Sequence, residues 1–308
     1  IKDQISKIKK NFREQMKKVV RKITWMPSFG LERELDWLSN MHDWLISKKR
    51  YWGLALPIWE CQNCGNFDVI GSKDELKKRA IEGWSEFKDH SPHRPWIDQI
   101  KIKCSSCRTI SSRIPDVGNP WLDAGIVPFS ALPETWFPAD FITESFPGQF
   151  KNWFYSLIAM STALKNTNPF KRVLGFASVL GEDGRAMHKS WGNAVEFNEG
   201  ADKIGVDVMR WMYVTQDPEQ NLLFGYHRAD ETRRRFHLIL WNVYNFFVTY
   251  ANVDKWIPKK TSKAKSKNVL DKWIFSRLNQ TVAIVTDSME SYDSQKASLS
   301  IEDFINDL

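Results

Sequence analysis

Four cysteines and one lysine-bearing loop are the parts of this sequence whose residue types and spacing can do chemistry. The cysteines fall as "CQNC" (Cys61, Cys64) and "CSSC" (Cys104, Cys107), which uses every cysteine in the chain. Two Cys-x-x-Cys pairs present four thiolates able to close tetrahedrally on zinc at about 2.3 Å each. With four protein ligands no coordination position stays open, so such a metal holds a fold rather than reacting. Disulfides suit a reducing cytoplasm poorly, and a redox Cys-x-x-Cys would leave the second pair unexplained. The 39 residues between the pairs exceed the roughly 15–20 of a compact ribbon. The loop is "GRAMHKSWGN" (Gly184–Asn193), which sets His188, Lys189 and Ser190 between two glycines. A lysine on a loop free to close can reach a phosphate, although spacing alone fits an ordinary surface turn equally well.

The elements that must position these residues follow from hydrophobic period and punctuation. Ile1, Ile5, Ile8, Phe12, Met16, Val19 and Ile23 recur at steps of three and four and predict an amphipathic helix. "WMPSFG" (Trp25–Gly30) breaks it, and "ELDWLSNMHDWL" predicts a short Trp-rich helix. Leu54–Trp59 reads as a strand, and Ser72–Trp84 as a helix opened by a capping box of Ser72 and Glu75. "NPWLDAG" (Asn119–Gly125) reads as a glycine turn carrying a Trp and an Asp. Further on, Asn152–Leu164 reads as helix, Arg172–Leu180 as a buried strand, and Asn198–Val214 as helix. Alternation of this kind predicts a parallel sheet covered by helices. From about Asp230 only long helices follow, one lined by Phe236, Leu240, Val243, Phe247 and Tyr250, another by Leu270, Ile274, Leu278 and Val282. A Lys-rich loop, Asp254–Asn268, is expected between them.

Bulk properties narrow the class. A chain of 308 residues can bury two or three cores, and its 15 Trp and 19 Phe supply large apolar surfaces. No run reaches the roughly 18–20 apolar residues of a membrane span. Phe236–Val253 comes nearest, but His237, Asn242, Asn245 and Thr249 interrupt it and predict a buried soluble helix. Nothing reads as a signal peptide, so a cytoplasmic, membrane-free protein is expected. The net charge of +7 is concentrated in residues 1–23, with nine Lys/Arg against two acids. That segment suits a polyanion such as RNA or a solvated helix face. Helical stripes already in phase at Ile1 and still running at Leu308 lead us to expect a segment of a longer protein.

Order adds what the single motifs lack. "SKKRYWG…LPIW", a cysteine pair, "HRPWID" (His93–Asp98), the second pair, "NPWLDAG", "PADF" (Pro138–Phe141), "NWFY" and "DGRAMHKSWGN" occur colinearly. "LWNVYNFFVTYANVD" (Leu240–Asp254) and "LDKWIFSRLN" (Leu270–Asn279) continue the series. From about Trp25 to Leu308 the chain resembles the class I aminoacyl-tRNA synthetases, within them the isoleucyl enzymes.

The resemblance implies a Rossmann-like α/β catalytic half-domain with an inserted zinc ribbon, followed by an all-α anticodon-binding domain. Residues 1–45 would end an inserted domain and return to the catalytic half, 46–60 and 110–215, with the ribbon at 61–109 and the helical domain from 216 to 308. The implied activity is ATP-dependent conversion of isoleucine to its adenylate and transfer to tRNA(Ile). ATP with Mg is then a substrate, zinc a structural cofactor held by Cys61, Cys64, Cys104 and Cys107, and the protein a monomer. The family's Lys-Met-Ser-Lys-Ser loop reads here Ala186, Met187, His188, Lys189, Ser190, with the second lysine and final serine matching. Lys189 is therefore the implied catalytic cation, against the leaving pyrophosphate. Met187, His188 and Ser190 would touch ATP, and Glu144 and Gln149 the adenylate. Lys48 and Arg50 would touch tRNA. Trp153 reads as core. The family's His-x-Gly-His element is not in the sequence, and its editing domain is expected upstream of Ile1, so the 308 residues alone are expected to be inactive. Rival readings are a valyl or leucyl counterpart, a non-catalytic tRNA-binding paralogue, and an isolated zinc module.

Overall fold

The computed structural model describes residues 2–257 and 266–308, with side chains from residue 11 onward. The Lys-rich stretch at 258–265 lies outside them, as do the side chains of Ile1, Ile5 and Ile8. The described chain divides into two units, Ile1–Ile142 with Gly148–Val173, and Thr143–Pro147 with Leu174–Leu308.

The first unit opens with helix α1 (Lys2–Val20), strand β1 (Thr24–Met26) and helix α2 (Phe29–Asn40). The stripe of α1 buries Met16, Val19 and Val20 as its period predicts. The Trp-rich helix stops at Asn40, so Met41–Trp44 is not helical. Trp25 of β1 packs edge-on against Phe154 and Phe170 at 5.8 and 6.4 Å and donates Nε1–H to the Val20 carbonyl at 3.3 Å. Then come β2 (Ser47–Lys48), β3 (Ile58–Glu60), β4 (Phe67–Val69), α3 (Lys73–Arg79), β5 (Ala80–Glu82), α4 (Trp84–Phe87), β6 (Lys101–Lys103), β7 (Ile110–Arg113) and β8 (Val117–Gly118). Strands β4-β3-β7-β6-β5 form one antiparallel sheet. Its core is Trp59, Ile70, Leu76, Phe87, Ile97, Ile100 and Ile102. The helix expected over Ser72–Trp84 is thus shorter, because Ala80–Glu82 leaves it to pair with β6. Its cap forms: Ser72 Oγ accepts from the Glu75 N–H, while Glu75 reaches back to the Gly71 N–H. Leu54–Trp59 is only partly strand, with Ala55 bridging Val117 ahead of β3.

Helix α5 (Pro120–Ser130) replaces the expected glycine turn. Asn119 caps it through the Trp121 N–H at 3.0 Å, and Pro120 occupies the first turn. Gly125 is there for packing: a Cβ would stand 2.7 Å from the Ser156 carbonyl oxygen. That carbonyl belongs to α7, which is reached through β9 (Ala139–Ser145) and α6 (Phe146–Gln149). Helix α7 (Trp153–Lys165) is buried on nearly every face, as its apolar composition predicts, and leads to β10 (Phe170–Phe176). Strands β1, β10 and β9 are neighbours in that order.

The second unit contains β11 (Val179–Gly181), α8 (Phe197–Ile204), α9 (Val206–Val214), β12 (Leu222–Phe224), α10 (Tyr226–Thr232), α11 (Leu238–Val253), α12 (Val269–Glu290) and α13 (Ser294–Asp307). The single strand expected over Arg172–Leu180 is therefore two, interrupted where the Ala177 N–H turns to the Pro218 carbonyl. Strand β11 pairs in parallel with β12. The helix expected over Asn198–Val214 also splits, at Gly205, whose φ of +90° ends α8. Ile204, Val208, Met209, Met212, Leu222 and Phe224 form this unit's core. A π-helical segment, Arg233–His237, joins α10 to α11. The buried helix expected at 236–253 is not buried among the described residues: Phe236 is, but Leu240, Phe247 and Tyr250 are exposed. Leu270, Leu278 and Val282 of α12 are exposed too. A stripe's period sets which face is apolar, not which neighbour covers it. No described helix is long and apolar enough to cross a membrane.

One residue opposes this order. Glu34 of α2 is fully buried, and neither carboxylate oxygen has a hydrogen-bond partner among the described residues. Burial raises its carboxyl well above the usual range, so the proton is retained. A raised acid binds protons more tightly in the folded state, so its contribution is full below the unfolded value, about 4.3, and is lost as pH rises. Glu34→Leu is expected to stabilise the chain at pH 8 by about 1–3 kcal/mol and by less at pH 5. Urea unfolding at both pH values checks this; equal gains would refute it.

Candidate metal centre and lysine-tipped loop

Two matched hairpins build the metal centre. In the first, the Cys61 N–H donates to the Asn66 carbonyl and the Gly65 N–H to the Cys61 carbonyl, both at 2.8 Å. In the second, the Cys104 N–H donates to Thr109 at 2.8 Å and the Arg108 N–H to Cys104 at 3.1 Å. The fourth residue after each first cysteine takes positive φ, +70° at Gly65 and +66° at Arg108. The fifth crosses to the other hairpin's sulfur: Thr109 Oγ1 lies 3.0 Å from Cys61 Sγ, and Asn66 Nδ2 3.8 Å from Cys104 Sγ.

The four sulfurs all lie within 4.8 Å of one another. Cys61 and Cys107 stand 3.4 Å apart, Cys64 and Cys104 3.7 Å. A tetrahedron of sulfurs about 2.3 Å from zinc has edges of roughly 3.8 Å, so the four residues fit that ion. The Thr109 hydroxyl holds Cys107 down at about 5. The backbone bond from Asn66 lowers Cys64, but the thiols of Cys107, Cys104 and Cys61 together with burial outweigh it and push Cys64 up to about 12. Four thiols this close do not all ionise without a cation among them. The 39 intervening residues are filled by α3, β5, α4, a 3-10 turn at Trp96–Gln99 and β6. Asp68 ties that insertion to the hairpins, gripping Arg79 at 2.8 Å and accepting from the Ser105 N–H at 3.2 Å.

The loop after β11 is a braced frame with an open tip. The Gly184 N–H closes a turn onto the Gly181 carbonyl, and the Gly181 N–H returns to the Arg185 carbonyl, both at 2.9 Å. Asp183 accepts from the Arg185 backbone and guanidinium at 3.0 and 2.8 Å. Asn193 staples the far side, accepting from the His188 N–H at 2.9 Å and donating to the Ala186 carbonyl at 3.0 Å. Glu182 fastens the base to α10 by accepting from the Arg228 N–H at 2.7 Å. Lys189 and Ser190 begin a 3-10 turn at the tip, closed by Gly192 at φ +70°. Both are exposed, and Lys189 makes no ion pair or side-chain hydrogen bond among the described residues. Met187 is half-buried, and the exposed His188 ring meets Trp191 edge-on at 4.3 Å.

The other predicted site residues are engaged locally. Glu144 Oε1 accepts from the Ser145 N–H at 2.8 Å. Gln149 Oε1 accepts from the Trp153 N–H at 3.3 Å, at the start of α7. Glu144 belongs to the second unit and Gln149 to the first. Trp153 is half-buried rather than core. Lys48 is half-buried in β2, which pairs with β8, and Arg50 is exposed.

Sequence reasoning missed three residues. Asp98 accepts from both Arg94 and Arg113 at 2.7 Å, and "HRPWID" gave only its place. Asn193 was visible as the end of the loop motif, but a staple has no spacing signature. Asp123, in the first turn of α5, has its carboxyl raised by burial, partly opposed by the charge of His93.

The described chain is a mixed α/β fold that ends in helices, with a lysine-tipped loop after a strand paired in parallel. Residues 5–224 match the family described as tRNA synthetases class I (I, L, M and V), and the chain belongs to it. Among its relatives is the isoleucine–tRNA ligase of Clostridium tetani, 40% identical over 97% of this chain. Those of Thermus thermophilus and Methanothermobacter thermautotrophicus are each 37% identical, over 96% and 95% of it. The chain spans about 29% of the length of these relatives. Among solved structures, a LeuRS–tRNA–LeuAMS ternary complex from Agrobacterium radiobacter K84 superposes with a TM-score of 0.64 at 20% identity. The alignment covers 87% of this chain and 36% of that one, and shows the shared fold.

Purified without chelators, the chain is expected to carry about one zinc per molecule, by plasma emission. Cys104→Ser, at a buried ligand, should drop this below about half and lower the melting temperature. Full occupancy in the variant would refute the four-cysteine assignment.

Proposed function

We propose that the chain is part of an isoleucine–tRNA ligase: the C-terminal half of the catalytic domain with its zinc ribbon, and the start of the anticodon-binding helical domain. The observation that carries this is the 40% identity to an enzyme of that name across 97% of the chain. In the boundaries above, 1–45 returns from an inserted domain, 46–60 and 110–215 are catalytic, 61–109 is the ribbon, and 216–308 begins the helical domain. The partners are isoleucine, ATP with Mg, and tRNA(Ile).

In the activation step a carboxylate oxygen of isoleucine bonds to the α-phosphorus of ATP as the bond to the pyrophosphate oxygen breaks. Charge builds on that leaving oxygen. A cation held against it is worth most where water is excluded, and Lys189 is the cation its loop presents. Met187, His188 and Ser190 flank it as ATP contacts. Glu144 and Gln149 serve the adenylate through the atoms their local bonds leave free. Lys48 and Arg50 meet tRNA phosphates in a salt-sensitive way. A hydrophobic pocket separates isoleucine from valine weakly, so accuracy rests on the editing domain expected upstream.

The test is amino-acid-dependent ATP–pyrophosphate exchange by the full-length product of the parent gene. Exchange should be driven best by isoleucine and fall roughly hundredfold or more in Lys189→Ala, with none from the 308-residue chain alone. Best exchange with valine or leucine would reassign the substrate. No exchange with any amino acid, despite tRNA binding, would make the protein a non-catalytic paralogue.

A further inference from the structure

Away from both the loop and the cysteines, the turn "KRYWG" (Lys49–Gly53) leaves two large aromatic side chains open. Tyr51 is 50% exposed and Trp52 71%. Their rings meet edge-on, 5.4 Å apart at 79°, and are not stacked face to face. The Arg94 guanidinium lies over the Tyr51 ring, 4.8 Å from its centroid. That arginine is held in turn: Nε donates to Asp98 at 2.7 Å and a terminal nitrogen to the Arg50 carbonyl at 3.4 Å. Asp98 also pairs with Arg113, whose side chain is fully buried. Gly53 ends the turn at φ +142°, a backbone conformation that favours glycine, and a Cβ there would crowd the Val117 side chain at 3.1 Å. The aromatic pair is therefore braced, and its open surface is not that of a loose loop.

The chemistry around it is cationic. Lys49 and Arg50 are exposed and pair with no carboxylate among the described residues. The segment that carries Arg94 adds a second flat surface, where His90 and Trp96 stack at 3.7 Å with their planes 3° apart. An open indole face beside unpaired cations suits one ligand class. Unpaired nucleotides offer a flat π-face and a phosphate at each step, and bind such surfaces by stacking plus charge. A blunt duplex hides its base faces and would use the cations alone.

We infer that Trp52, braced by Tyr51 and Arg94, is a stacking platform for unpaired nucleotides of RNA, with Lys49 and Arg50 taking the flanking phosphates. This rests on the reading of the protein as one that handles tRNA, and extends it from phosphate contacts to a base contact.

The zinc-loaded chain is titrated with an unstructured RNA octamer and with a blunt RNA hairpin of similar charge. The octamer should bind, and Trp52→Ala should weaken it by about tenfold or more while leaving the hairpin unchanged. Lys49→Ala should weaken both and lower the salt dependence of both. Should Trp52→Ala lose zinc, Trp52→Phe against Trp52→Leu decides, since both keep apolar volume and only Phe keeps a ring face. Octamer binding retained by Phe and lost by Leu supports the platform. Equal binding by Phe and Leu, or equal weakening of octamer and hairpin in folded Trp52→Ala, overturns it. If the full-length protein shows no isoleucine-dependent exchange while Trp52 still governs octamer binding, the ligase reading fails and the platform stands.

Discussion

Arg113 carries a charge into the interior of the first unit, and the architecture around the cysteines is organised to answer it. Its Nε and a terminal nitrogen grip Asp98, and another nitrogen donates to the carbonyls of Leu56 and Asp116 at 3.0 and 2.9 Å. Removing one partner of a buried pair costs about 3–5 kcal/mol, because the other charge is stranded. This pair therefore fixes more than two residues. It locks the segments entering β3 and leaving β7, and it holds Asp98 where Arg94 can share it. The sheet bearing Cys61 and Cys104 is thus tied to its entry and exit chains by one ion triad, and to its own insertion by Asp68.

What was legible in the sequence was chemistry that is local in the chain. Two Cys-x-x-Cys pairs announce a tetrathiolate because ligand spacing is a short-range property. The Ser72 cap and the helical stripe ending in Met16, Val19 and Val20 were readable for the same reason. The readings that changed concerned non-local packing. Gly125 suggested a turn because glycine is common there, yet Asn119 and Pro120 already marked a helix start, and the glycine serves the close approach of α7. The breaks at Ala177 and Gly205 come from a long-range bond and a left-handed residue inside otherwise continuous apolar patterns. Glu34 could be placed on a helix but not in a core, since no period predicts a buried, unpartnered acid.

The apolar helices of the second unit make the complementary point. Trp241, Tyr244, Phe246 and Phe247 of α11 are each more than half exposed. Exposed aromatic area on this scale exceeds what scattered surface residues provide. The composition of 236–253 marks a helix, but the burial expected from it is not found among the described residues, because burial depends on neighbours that an apolar period does not specify. Where cover exists it is specific: Glu302 of α13 is buried and accepts from Trp211 of α9 at 2.6 Å and from Arg235 at 2.9 Å.

The Gly184–Asn193 loop departs at two positions from the pattern it resembles, and its frame shows which atoms of those two residues the fold uses. Ala186 stands where the pattern has lysine, and the frame uses only its carbonyl oxygen, held by Asn193. His188 stands where the pattern has serine, and the frame bonds its backbone, the N–H to Asn193 and the carbonyl from the Trp191 N–H at 3.0 Å. Neither duty depends on the side chain. The turn at Gly181–Gly184 and the Asp183–Arg185 bracket are likewise built from residues outside the altered pair. The loop can thus change composition at 186 and 188 without changing shape, and the cation at 189 is presented by backbone geometry alone. Under the proposed function, the substitutions remove one lysine from the loop that meets the phosphates and add an imidazole ring that lies edge-on to Trp191 at 4.3 Å. They leave the geometry that aims Lys189 intact. Under that reading the electrostatic demand of the leaving pyrophosphate falls on the single lysine at 189.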